Sequence, residues 1–137
     1  MYFLIRTLNV DTKFDENFKD ISKDAYYYKE IGIAKKLGIT TGVGHNTFIP
    51  DASIIRQDMM VLTERALRML QKFKFQGEIS DLEKFTDKSL IAAYATDSMA
   101  SLVKEELIVG IGDKINPMSN TTRAEASMFL YRIYNMK

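Results

Sequence analysis

The 137-residue chain has no cysteine, no tryptophan, one histidine and two prolines. Without cysteine there are no disulfides, no thiolate metal sites and no cysteine nucleophile. With His45 as the sole imidazole, a histidine metal cluster or a Ser-His-Asp triad would have to rest on that one residue, and neither is expected. No apolar run approaches the roughly 20 residues that a membrane helix needs, so membrane insertion is not expected. The opening stretch Met1-Tyr2-Phe3-Leu4-Ile5-Arg6 is too short for a signal peptide and has no basic leader. If the protein acts outside the cell, its export signal is expected beyond this sequence. Charge is scarce in net terms: 19 Lys and Arg against 18 Asp and Glu leave +1. That balance gives no electrostatic case for nucleic acid or for an anionic membrane surface.

The acids do not form a recognisable site. Asp51, Asp58, Asp113 and Glu125 lack calcium-loop spacing, so neither a metal nor another cofactor is expected. Nothing fixes two of the 18 acids on opposing elements, as glycoside hydrolysis requires, so the chain reads as non-catalytic. Hydrophobic residues make up 46% and charged residues 27%, an ordinary balance for a folded domain.

What the chain does contain is a repeat. Phe18-Lys19-Asp20 recurs as Phe85-Thr86-Asp87, and Tyr27 as Tyr94, each 67 positions on. Gly42-Val43-Gly44 matches Gly110-Ile111-Gly112 at a shift of 68, and Pro50/Pro117, Arg56/Arg123 and Asp58/Glu125 return to 67. One inserted residue before the glycines and one deleted after them explain the offsets. A third, broken copy lies at the start, where Phe3-Leu4-Ile5-Arg6-Thr7-Leu8 parallels Leu62-Thr63-Glu64-Arg65-Ala66-Leu67. The reading divides the chain into residues 1–17 (the tail of a unit), 18–70 (one repeat), 71–84 (a linker) and 85–137 (a second repeat).

Each full unit reads as helix, loop, helix. Tyr27, Ile31 and Ala34 form one helical stripe, ended by Gly38, and Ile55, Met59, Leu62, Ala66 and Met69 form another. In the second unit Ile91, Ala95, Ser98 and Leu102 make the first stripe, and Ala126, Phe129 and Ile133 the last. The intervening glycines suit turns, and the prolines mark the entry to the next helix. A Gly-x-Gly without a preceding strand or a following Lys-Ser/Thr is turn geometry and not a phosphate loop.

Thr122-Arg123-Ala124-Glu125 fits a capping box, with Arg123 at the first helical position beside free amides and the positive helix end. Such a corner suits either a structural cap and surface pair or recognition of an anion. The first unit has Ile55-Arg56-Gln57-Asp58 there and lacks the Thr cap. A fraying helix start is expected, unless Ser53 supplies the cap.

These words resemble the S-layer homology (SLH) repeat: Phe-x-Asp, an aromatic opening a helix, Gly, a residue-x-Pro plug, and Thr-Arg-Ala-Glu opening a second helix. The resemblance implies an all-α fold of tandem helix–loop–helix repeats about a pseudo-threefold axis, incomplete in this chain. It implies binding of secondary cell-wall polysaccharide, with a pyruvylated sugar as the recognised group. The motif arginine is implied as the carboxylate ligand, a role carried onto Arg123 and Arg56. Thr122, Glu125, Asp58, Gly42 and Gly110 complete the implied site. Implied too are a location at the bacterial cell surface and a role in anchoring an S-layer or other surface protein. Departures from the pattern are the incomplete third unit, Ile55-Arg56-Gln57-Asp58 in the first copy, and Ile115 for the usual Phe in the second. The rival readings are an assembly fragment in which a second copy completes the missing repeat, and a domain accessory to a wall-active glycoside hydrolase.

Overall fold

The computed structural model describes residues 1–73 and 76–136. Among the described residues there are five α-helices, α1 (Tyr2–Thr7), α2 (Tyr28–Lys36), α3 (Arg56–Met69), α4 (Ala93–Lys104) and α5 (Arg123–Tyr134), with 3₁₀ turns at Ile79–Leu82 and Lys88–Leu90. Among the described residues there is no strand, only isolated bridges at Gly44/Thr47, Ile55/Asn120 and Ile111/Lys114. The chain is all-α, as its periodicity predicts.

Packing divides it into two compact units, Met1–Ala52 with Ile133–Lys137, and Ser53–Arg132. In the first, α1 packs on α2; in the second, α3 packs on α4. Each pair therefore joins the last helix of one sequence repeat to the first helix of the next.

Within each unit the Phe-x-Asp word builds the loop. Phe18 and Phe85 are both 3% exposed. The Asp20 carboxylate accepts from the amides of Phe48 (2.9 Å) and Ile49 (2.7 Å). Asp87 repeats this with Ile115 (2.9 Å) and Asn116 (2.8 Å). Partial desolvation pushes the Asp20 carboxyl up, but the amides of Ile49 and Phe48 outweigh it and hold the group below the ordinary Asp range. Gly42 and Gly110 let the phenyl rings approach: a Cβ would lie 2.7 Å from the Phe18 ring and 2.5 Å from the Phe85 ring. Sequence reasoning did not give the two Asp residues this role; their paired recurrence was the available signal.

The predicted indel has a physical form. Val43 donates to the Thr47 carbonyl, four residues on, whereas Ile111 donates to Lys114, three residues on. The second turn is one residue tighter. Its plug, Ile115, is fully buried, where the first copy stacks Phe48 on Phe18 at 5.5 Å.

Helix ends repeat as well. After α2, the amides of Gly38 and Ile39 return to the carbonyls of Lys35 and Ala34; after α4, those of Glu106 and Leu107 return to Val103 and Leu102. This double bond is the Schellman motif, which places its central residue in the left-handed region. Gly38 has φ +71°, and Glu106 takes the same place at +58°. The second repeat thus keeps the stop without the glycine.

Two expectations shift. The buried side of α3 is Arg56, Gln57, Met60, Val61, Thr63, Glu64, Ala66 and Leu67, while Met69 is exposed. The apolar stripe is turned because polar groups find partners inside: Glu64 pairs with Arg68 and accepts from Ser98. Residues 71–84 are also more than a spacer. The Gly77 amide donates to Ser101 Oγ (3.0 Å), and a 3₁₀ turn at Ile79–Leu82 packs on α4. Lys74 and Phe75 of that stretch lie outside the described residues.

Candidate functional site

The start of α3 is where the residues singled out by sequence converge. Ile55 is extended at φ −78°, ψ 157°, with no side-chain cap. Neither fraying nor a Ser53 cap follows. The amides of Arg56 and Gln57 donate to the carbonyls of Ser119 (2.8 Å) and Pro117 (2.9 Å), and Thr121 donates back to Ile54 (3.0 Å). The turn after the second loop supplies the acceptors that a Thr would have supplied.

This docking buries Arg56, whose side chain is 9% exposed. Its Nε donates to the Ile115 carbonyl (2.9 Å) and its Nη1 to Glu125 Oε2 (3.0 Å). The Asn116 amide of that same peptide donates to Asp87 (2.8 Å), so Phe-x-Asp and Arg56 clamp opposite sides of one peptide. Gln57 is 3% exposed; its Oε1 accepts from the Ala92 amide (3.0 Å), and its Nε2 donates to the Tyr94 hydroxyl (3.3 Å). Tyr94 donates in turn to Asp58. That bond, then desolvation and the charge of Asp58, push the Tyr94 phenol above its ordinary value. Gln57 and Tyr94 form a junction between the starts of α3 and α4 that motif reading did not single out. Tyr94 is 60% exposed, so its recurrence with half-buried Tyr27 does not mark a core position.

The start of α5 differs. Thr122 Oγ1 accepts from the Glu125 amide (3.2 Å), which is half of the predicted capping box. The Glu125 carboxylate reaches Arg56. Arg123 is exposed, and its guanidinium has no ion pair among the described residues.

Between α3, the Ile108–Ile111 segment and α5 runs a groove of about 260 Å³. Arg56, Glu125 and Arg132 line it among apolar walls that include Ile108, Ile111 and Met128. The structure thus brings Arg56 and Glu125 together in the groove, whereas Asp58 accepts from Tyr94 and is not among its lining residues. Arg123 and Thr122 lie outside the groove, Gly110 supports the Phe85 contact, and Gly42 sits in the other compact unit. No group of three or more potential metal-ligating side chains gathers among the described residues. Among them, too, no helix is long and apolar enough to cross a membrane.

The pattern of the S-layer homology domain matches residues 17–60 and 84–127. The chain is 32% identical over 130 residues to the amylopullulanase of Thermoanaerobacterium thermosulfurigenes, covering 93% of this chain and 7% of that protein. It is 29% identical over 129 residues to the surface-layer 125 kDa protein of Lysinibacillus sphaericus, covering 91% and 10%. It is also 29% identical over 126 residues to the S-layer protein EA1 of Bacillus anthracis, covering 92% and 14%. The chain therefore spans a small part of the length of each.

Proposed function

Because the chain belongs to the S-layer homology family, we propose that it is a non-catalytic anchoring module holding a larger protein to an acidic polysaccharide of the bacterial cell wall. The observation that carries this reading is the company the segment keeps. It is similar to a small part of two surface-layer proteins and also to a small part of an amylopullulanase. A segment shared by proteins with and without catalysis contributes attachment more readily than chemistry. The module works at the cell surface, and its ligand is a wall polymer bearing a pyruvylated sugar.

Thr122 and Arg123 offer the polymer an exposed cation at a helix start, a fit for a carboxylate. Glu125 and Arg56 line the groove beside it as a mutually neutralised pair. Asp58 and Gly110 belong to the surrounding frame, and Gly42 takes the matching place in the loop of its own unit. Co-sedimentation with purified cell walls tests the reading. Retention on intact walls and release from walls stripped of secondary polysaccharide are expected; equal retention on both would overturn it. Arg123→Ala should weaken retention several-fold with the fold intact.

One observation favours a second reading, assembly between copies. Phe3, Tyr26 and Tyr134 are 66%, 74% and 74% exposed, all within one compact unit. A concentration-independent monomer by light scattering would set that reading aside.

A further inference from the structure

The groove carries one charge that nothing in it answers. Arg56 and Glu125 cancel each other across 3.0 Å, and Glu125 is the one acid in the lining. Arg132 is left. It is half-buried, and Nη1 makes a single long hydrogen bond, 3.4 Å, to the Leu107 carbonyl. A guanidinium has five N–H donors in a planar fork, so most of this one's capacity is unused among the described residues. Keeping an under-bonded cation partly out of water is unfavourable unless an anion completes it. The Leu107 carbonyl belongs to the stop of α4, so the bond ties the arginine to a fixed piece of backbone.

We infer that Arg132 is the residue that selects the ligand's acidic group: it holds one carboxylate of a wall sugar whose apolar face lies on Val109, Ile111 and Met128. Charge complementarity sets the class. A lining of net +1 suits a monoanion, and a planar fork suits the two oxygens of a carboxylate. The apolar walls are open to such a face, since Val109, Ile111 and Met128 are 57%, 64% and 54% exposed. Arg132 lies nine residues after Arg123, about two and a half turns, so the two arginines are on opposite sides of α5. Arg123 meets the polymer from outside, whereas Arg132 reads the acid within the groove.

This inference rests on the anchoring reading, and one experiment separates the two. Binding of wild type, Arg132→Gln and Arg132→Lys is measured by titration against purified wall polysaccharide. The polymer is used in its native form and with its carboxyl groups reduced to alcohols. Wild type should lose at least tenfold in affinity on the reduced polymer. Arg132→Gln should lose most of that factor on the native polymer and respond far less to reduction than wild type does, with the lysine variant intermediate. If Arg132→Gln binds like wild type, or discriminates against the reduced polymer as strongly as wild type does, the inference falls while anchoring stands. Equal binding of both polymers by wild type has the same meaning. If wild type binds neither polymer, the anchoring reading falls and takes this one with it. Met128→Glu, at an exposed position, gives an independent check should the Arg132 variants unfold. A carboxylate built into the wall should abolish binding with Arg132 still in place, and unchanged binding would overturn the inference.

Discussion

α3 and α5 open at the same place in the repeated motif, one with Arg56 and the other with Arg123, yet the two arginines live in different surroundings. Arg56 is enclosed, spending its donors on a carbonyl and a carboxylate; Arg123 faces solvent with no ion partner among the described residues. What separates them is the turn at Pro117–Asn120, which docks on the start of α3 and fills its amides. Motif position alone does not assign a role. The same residue becomes a structural clamp where a neighbouring loop covers it and an accessible cation where none does.

The sharpest way to break this comparison is Arg56→Ala. Removing one partner of a buried ion pair typically costs about 3–5 kcal/mol. The Glu125 side chain keeps 30% of its exposure, which softens that figure, so a loss of about 3 kcal/mol in urea denaturation is expected. Arg56→Ala behaving like a surface variant would refute the clamp. Next comes Asp87→Ala, which frees two amides, one of them in the peptide that Arg56 grips from its other side. A loss of about 2 kcal/mol is expected, because hydrogen bonds to charged acceptors contribute roughly 1.5–3 kcal/mol. In the first copy, Asp20→Asn should show its effect mainly in acid. A carboxyl held low in the folded state contributes stability above its unfolded value, near 4, that is lost as pH falls through the lower folded value. Thermal melts of the variant should therefore depend less steeply on pH below about 4 than those of wild type.

Smaller effects sharpen the comparison between copies. Glu106→Gly restores at the end of α4 the residue that ends α2, and should stabilise by about 0.5–1 kcal/mol, less than the full left-handed penalty because glycine gains unfolded-state entropy. Destabilisation would mean that the Glu106 side chain contributes more than its backbone strain costs. Arg123→Ala should move stability by less than about 0.5 kcal/mol, as expected of an exposed side chain, while still reducing wall retention.

Much of the architecture was legible in the residues. The phase of the repeat, the deletion after the glycines, the helix–loop–helix order and the Thr122 cap follow from local spacing, and each has a counterpart in the structure. The fate of Arg56 was not legible, because its two side-chain partners lie 59 and 69 residues away and one of them is a backbone carbonyl. The tilt of α3 was hidden for a related reason. Gln57, Thr63 and Glu64 are polar by composition, and partners such as Ala92 and Ser98, met only after folding, let two of them lie inside. Arg132 carries no motif signal at all. It looks like a routine basic residue in a last helical turn until the groove is seen around it.

The pairing of α1 with α2 and of α3 with α4 also determines where such a gene can be cut and rejoined. A splice at Phe85, where the motif begins, would part α3 from α4, which pack on each other. A splice between Ala52 and Ser53 keeps both helix pairs whole and parts the first unit only from its short second segment, Ile133–Lys137. Recombination that shuffles these modules among unrelated surface proteins should therefore favour crossovers half a repeat out of step with the motif by which the modules are recognised.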